Sequence, residues 1–261
     1  MGMKRVSTGI AGLDSLLEGG FLPGRSYLVT GDAGTGKTTS CMQFLKAGLA
    51  EGEKVIYVTV DERPGEILQS ADSLGWNLQQ HVQDKSLVIL DASAYFSVRA
   101  AAVGDKGVDL QKIVSDLAAH AKKLDATRLV IDPVTPLILS GDSPTRVQEH
   151  ARMLIHLLQS NLSTTNLISS HFATRAGHDL TNRIEEFLTA GVFILTMGQN
   201  NDRLVRTLKV KKMRGTAVEP SEYPFNIVKD NGIILLSHDK KPIAVEESSL
   251  QALEVFQLPK E

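Results

Sequence analysis

The sequence predicts an α/β fold: a mostly parallel central sheet with helices on both faces and an antiparallel extension at the C-terminal end. Three observations carry this. Up to about residue 190, near-continuous apolar runs of strand length alternate with helix-like stretches, the pattern of parallel strands buried on both faces. A glycine-rich turn separates the first such run from the first helical stretch. After residue 190 the helical stretches stop and strand-like runs follow one another directly.

The first strand is Ser26–Thr30, and Cys41, Leu45 and Leu49 then recur at helical spacing. Val55–Val60, Leu87–Leu90, Arg128–Ile131 and Asn166–Ser169 read as further strands. Between them, Ile113, Leu117 and Ala121 share one helical face, as do Val147, Ala151, Leu154 and Leu158. In the last part, Gly191–Met197, Leu204–Lys211 and Ile233–Leu236 read as consecutive strands. Turns at Gly198–Asp202 and Asp230–Gly232 join them. No internal repeat is visible. Residues 1–237 read as one domain and residues 238–261 as a tail, a linker or a partner-binding segment.

Residues 31–38, Gly-Asp-Ala-Gly-Thr-Gly-Lys-Thr, fit the phosphate-binding pattern G-x-x-x-x-G-K-[ST] at every fixed position. They sit between a strand and a helix, where the mechanism needs them. The backbone amides of Asp32 to Thr38 can wrap a polyphosphate, the glycines letting the chain curl that tightly. The following helix adds unpaired N–H donors and the positive end of its dipole. Lys37 would place an ammonium on the β- and γ-phosphates of ATP, and Thr38 a hydroxyl on Mg²⁺. The glycine spacing is G-x-x-G-x-G, which disfavours a dinucleotide loop.

Such a loop needs a carboxylate at the end of a buried strand to manage the metal. Arg128-Leu-Val-Ile-Asp132, followed by Pro133, fits this; a strand-end Asp capping the next turn is the competing reading. Asp61 and Glu62 end the strand that follows the phosphate-loop helix. They point to water activation near the γ-phosphate, against the simpler reading of two solvated carboxylates; spacing does not choose between them. Arg206–Gly215 is dense in cations. Lys212 and Arg214 are either part of a charged edge strand or a cation pair reaching a phosphate, in this subunit or another.

Composition narrows the function classes. The net charge of −2 does not suit bulk-charge binding to nucleic acid. With Cys41 the only cysteine, the chain can build neither a disulfide nor a four-cysteine zinc site; Cys41 reads as a buried side chain on the phosphate-loop helix. No apolar run reaches the roughly 18 residues of a membrane span, and no signal-peptide core is present, so a cytoplasmic location is expected.

With these pieces assembled, the chain resembles a RecA-like P-loop NTPase, and within that superfamily the KaiC family. The resemblance begins with Ser7-Thr-Gly-Ile-Ala-Gly-Leu-Asp-Ser-Leu-Leu-Glu-Gly-Gly-Phe21. It continues through Asp61-Glu-Arg-Pro64, Ser73-Leu-Gly-Trp76, Ile89-Leu-Asp-Ala-Ser93, Ile184-Glu-Glu-Phe187 and Lys212-Met-Arg-Gly-Thr216. Together these resemble the first ATPase domain of KaiC more than the second. The resemblance implies ATP and Mg²⁺ as cofactors and a homohexameric ring with nucleotide at each interface. It implies that Gly34–Thr39 hold the phosphates, Asp132 serves the metal, and Asp61 and Glu62 match the family's paired catalytic glutamates. It places Ser73 and Thr216 near nucleotide, and has Lys212 and Arg214 reach the neighbour's ATP. The chain departs from the family at Asp61, one methylene shorter than the usual Glu; at Glu185-Glu186-Phe187, where KaiC's kinase domain carries phosphorylated Ser and Thr; and at Val218, usually His.

The expected function is therefore an ATP-hydrolysing ring serving as a signalling or timing module. Three alternatives stand beside it. One is a DNA-transaction ATPase using loops near Gly104–Val108 and Ala173–Thr181, though these carry only Lys106, Arg175 and His178 as cations. The others are a nucleotide-gated scaffold and a protein kinase. Trp76 reads as core, and His171, Ser169 and Ser170 compete for a γ-phosphate sensor position.

Overall fold

The computed structural model describes residues 4–93, 108–138, 144–171, 189–200, 203–219, 221–237 and 243. Nine strands form one sheet in the order β3-β2-β4-β5-β1-β6-β7-β8-β9. These are β1 (Ser26–Gly31), β2 (Val55–Thr59), β3 (Leu87–Asp91), β4 (Arg128–Asp132), β5 (Thr165–His171), β6 (Gly191–Asn200), β7 (Arg203–Met213), β8 (Glu222–Val228) and β9 (Gly232–Leu235). From β3 to β6 all pairings are parallel. From β6 to β9 they are antiparallel. The predicted change of rhythm near residue 190 is thus a change of strand direction.

The alternation of side chains along each parallel strand feeds two cores. Tyr27 and Val29 of β1 and Val130 of β4 face the side covered by helix α2 (Lys37–Ala50), where Cys41, Met42, Phe44, Leu45 and Leu49 are buried. Leu28, Leu129 and Ile131 face the other side, packed under helices α5 (Leu110–Leu124) and α7 (Pro144–Asn161). The predicted faces are the buried ones: Ile113, Leu117 and Ala121 on α5, and Val147, Ala151, Leu154 and Leu158 on α7. Helix α5 starts on Asp109, whose carboxylate accepts from the Lys112 amide at 3.0 Å, and ends with Lys122 and Lys123 at the negative end of its dipole.

Several elements differ from expectation. Helices α1 (Leu13–Leu16), α3 (Pro64–Ser73), α4 (Leu78–Gln83) and α6 (Thr135–Ile138), and strand β8, are too short or too broken by polar residues and proline to announce themselves. The expected turn at Gly198–Asp202 is narrower, because β6 and β7 stay paired out to Asn200 and Arg203. The Asp230–Gly232 turn is present, with positive φ at Asp230 and Gly232. Trp76 is core: it is buried, and its Nε1 donates to the Asp230 carbonyl at 2.8 Å. Of residues 238–261 only Ile243 is described; its amide donates to the Leu235 carbonyl at 3.1 Å, beside the edge of β9. Residues 104–107, 173–181 and 184–187, with Lys106, Arg175 and His178, lie outside the described residues.

A buried cation ties the N-terminal entry to this frame. Arg128, fully buried at the start of β4, donates to Glu53 Oε2 at 2.7 Å, to the Ser7 carbonyl at 2.7 Å and to the Phe44 carbonyl at 2.9 Å. On the other face of α2, the Gln43 amide nitrogen donates to the carbonyls of Gly9, Asn231 and Ile233, and its oxygen accepts from the Ile233 amide. Among the described residues, no helix is long and apolar enough to cross a membrane.

Candidate functional site

A pocket of about 390 Å³ opens at the carboxyl edge of the parallel strands, where open α/β sheets bind ligands. Its size suits a small molecule. The loop after β1 supplies Ala33, Gly34, Gly36, Lys37, Thr38 and Thr39; the ends of β2 and β4 supply Asp61, Glu62 and Asp132; Pro133, His171 and Ile227 complete the wall.

The loop curls because Gly34 and Gly36 hold φ of 77° and 105°, a region L side chains rarely occupy. Gly36 caps α2, so the helix begins in the pocket. Thr35 turns inward, its hydroxyl donating to the Asp32 carbonyl at 2.8 Å. The Lys37 ammonium donates to the carbonyls of Gly31 and Asp32 at 2.8 and 2.9 Å, which leaves a third donor for an anion. Burial pulls the Lys37 pKa down, against the opposing charges of Asp132 and Asp32. Cys41, one turn into α2, is fully buried, and burial pushes its thiol well up. It is therefore an unreactive core residue.

Asp132 is held from two sides. Tyr57 Oη donates to Asp132 Oδ2 at 2.6 Å, and the Ser169 hydroxyl donates to Oδ1. Tyr57 sits two residues before the end of β2, and Thr59, not Tyr57, pairs with Asp132 across the ladder. The phenol thus spans a rise of about 6.6 Å along the sheet face. Burial, reinforced by the Asp132 charge, pushes the Tyr57 pKa well up, so its hydroxyl remains a donor. Glu62 is an exposed residue whose carboxyl lines the pocket. Partial burial, then the negative charges of Asp132, Glu66 and Asp61, push its pKa above its ordinary value.

The donor set fits Mg·ATP. Among the described residues, no cluster of three or more His, Cys, Asp or Glu forms a self-sufficient metal site. Magnesium typically needs only a hydroxyl, one or two carboxylates, water and substrate phosphates. Thr38 and Asp132 face the same pocket and can supply the first two; the loop amides and Lys37 can supply the phosphate contacts.

The other expected site residues lie outside the lining of this pocket. Ser73 is exposed at the far end of α3, its hydroxyl donating to the Gln69 carbonyl at 2.9 Å. Thr216 accepts from Arg5 Nη1 at 2.6 Å. The Lys212 ammonium donates to the Thr189 carbonyl at 2.6 Å, and the Arg214 amide donates to the Ala190 carbonyl. The sheet register explains the separation. Gly31 at the mouth of the loop is level with Leu195 and Leu208, whereas Lys212 is level with Val192 and Leu28. β7 runs opposite to β1, so its cationic end lies at the amino edge of the parallel strands. A bulge at Val192/Phe193 also shifts the register beside Lys211.

Sequence reasoning missed three participants. Arg206 Nε donates to the Gly34 carbonyl at 3.2 Å, reaching the phosphate loop from β7; it lay in the noted cationic run but was not singled out. Ile227 forms an apolar wall over Gly36, on a strand without a clear signal. Tyr57 read only as part of an apolar run.

The family model described as "ATPase: KaiC" matches residues 6–240. The chain belongs to the KaiC ATPase family. A UPF0273 protein of Methanopyrus kandleri is 32% identical over 238 residues, spanning 89% of this chain and 92% of its own length. The circadian clock oscillator protein KaiC of Thermostichus vulcanus is 35% identical over 232 residues. Here the match covers 88% of this chain but only 44% of the KaiC protein, so the chain spans less than half of that relative. Among solved structures, a KaiC-like protein of the archaeon Pyrococcus horikoshii superposes with a TM-score of 0.76 at 29% identity, covering 90% of this chain and all of that one. The fold, the loop after β1 and the antiparallel C-terminal strands are thus those of a KaiC-like ATPase.

Proposed function

We propose that the protein hydrolyses Mg·ATP at the junction between neighbouring copies in a ring, a homohexamer, and that this ATPase serves as a signalling or timing module. The observation that carries the reading is the direction of β7. The pocket gathers a phosphate loop, a metal-facing hydroxyl and three carboxylates. The Lys212–Arg214 segment lies instead at the opposite end of the strand, about 10 Å (Lys212) to about 16 Å (Arg214) back along the sheet axis from Gly31. That is farther than either side chain reaches, so the pair would act only on a nucleotide held by another copy.

In this reading Gly34–Thr39 cradle the phosphates, and Lys37 neutralises the β- and γ-oxygens. Thr38 and Asp132 hold the metal. When bound, Mg²⁺ would screen the charge that develops between the phosphates. Glu62, with its raised pKa and its place at the pocket wall, accepts the proton of the attacking water, and Asp61 beside it orients that water. Lys212 and Arg214 stabilise the transferring phosphate in trans, a role worth about 10³–10⁵ in rate for arginine fingers. The signalling or timing role draws on the circadian oscillator relative.

The test is a mixing experiment. Lys37→Ala lacks the phosphate contact but keeps Arg214; Arg214→Ala keeps the pocket but lacks the trans cation. Each variant alone should be inactive, while a mixture recovers a fraction of wild-type turnover. Normal hydrolysis by Arg214→Ala alone overturns the trans role.

A further inference from the structure

We infer that Tyr57 is a positioning residue for the metal-facing carboxylate: with Ser169, it braces Asp132 so that the carboxylate presents one fixed edge to Mg²⁺. This rests on the Mg·ATP reading above and extends it to a residue that touches neither nucleotide nor metal.

The geometry supports it at each step. Asp132 sits at the end of β4, where the chain leaves the sheet, and its side chain could otherwise swing about its own torsions. Each carboxylate oxygen has two lone pairs. One on Oδ2 is taken by Tyr57 Oη at 2.6 Å, and one on Oδ1 by the Ser169 hydroxyl. The donors come from strands on either side of β4, since β2 and β5 are its two neighbours. They therefore fix the carboxylate plane from opposite sides and leave one lone pair on each oxygen for the metal or its waters. Tyr57 and Ser169 are themselves buried, at 2% and 0% exposure. The Tyr57 ring is packed in the core beneath α2, so its hydroxyl cannot move far. A Phe at this position would fill the same space and leave Oδ2 without its donor.

Outer partners of this kind typically contribute about 10- to 100-fold to metal affinity or activity. A purely structural tyrosine would instead change stability and leave the metal response intact. The decisive readout is therefore the gain in ATP affinity that Mg²⁺ confers, measured calorimetrically on the full chain in MgCl₂ and again in EDTA. For wild type, Mg²⁺ should tighten ATP binding. For Tyr57→Phe, affinity in EDTA should match wild type, while the Mg²⁺ gain falls by about 10-fold, and half-saturation with Mg²⁺ should rise correspondingly.

Ser169→Ala removes the opposite brace without touching the aromatic core. It should lose the same gain, and it carries the test if Tyr57→Phe does not fold. An undiminished Mg²⁺ gain in the folded variants overturns the inference and leaves the ATPase reading standing. Absence of ATP binding by wild type in both buffers overturns the ATPase reading itself and this inference with it.

Discussion

Replacing Glu53 by Ala should lower the melting temperature by about 6–12 °C. Arg128 has no exposed surface, and Glu53 is its close counter-charge, with Oε2 at 2.7 Å and Oε1 at 3.2 Å. Removing one partner of a buried pair costs about 3–5 kcal/mol, because the remaining charge is stranded. Two features place this case at the lower end. Glu51 Oε1 stands 4.0 Å from the same guanidinium, half exposed, and Arg128 keeps its bonds to the carbonyls of Ser7 and Phe44. A loss of about 3 kcal/mol corresponds to about 6–12 °C in a domain of this size. Thermal unfolding followed by Trp76, the only tryptophan, in EDTA and without nucleotide, gives the shift. The effect should fade in acid. Burial alone would raise the Glu53 carboxyl, but the bonds from Arg128 and Thr127 outweigh it and hold the pKa below its ordinary value. A depressed carboxyl contributes stability above its unfolded pKa of about 4.3 and loses it as pH falls through the folded value. A Glu53→Ala melting point within about 2 °C of wild type at pH 7.5 would refute the assignment of Arg128 as a buried charge dependent on this partner.

Lys37→Ala should abolish ATP binding in calorimetry while leaving the melting point close to wild type, since the ammonium bonds only loop carbonyls; binding at wild-type affinity counts against its phosphate role. Glu62→Gln should lower kcat and at the same time raise the melting point slightly. A carboxyl pushed up by partial burial and then by like charges contributes stability only below its unfolded pKa and loses it as pH rises, so the neutral amide relieves strain at pH 7.5. The exposed setting keeps that gain small. In wild type, the acidic limb of kcat should lie above the ordinary carboxylate range of about 4.3; a limb at or below that value would assign the base elsewhere.

The parallel half of the sheet was legible because strands buried on both faces carry unbroken apolar runs, as at Tyr27–Val29, Val55–Val58 and Leu129–Ile131. The loop at 31–38 was legible because phosphate chemistry fixes both residue type and spacing. Strand order was not, since nothing in a run of Val and Ile names its neighbour. β8 escaped because Glu222, Pro224 and Asn226 interrupt it and only Phe225 is deeply buried. α3 escaped because its buried residues are only Ile67 and Ala71. At the site, Asp61, Glu62 and Asp132 announce themselves as charges at strand ends. Tyr57 does not, because its bond to Asp132 joins it to a partner one strand over and two residues higher. Lys212 and Arg214 were recognisable as cations, but only strand direction reveals which end of the molecule they occupy.

The amide of Gln43 has a mechanical consequence. It fastens the middle of α2 to Gly9 on one side and to the β8–β9 turn on the other. From the entry segment, Arg5 in turn grips Gly215 and Thr216, next to Arg214. Hydrogen bonds, joined by the main chain of residues 5–9, thus run from the helix that starts at the phosphate loop to the opposite edge of the sheet. In the proposed ring, links of this kind would give occupancy of one copy's pocket a physical route to the arginine proposed to reach the next copy.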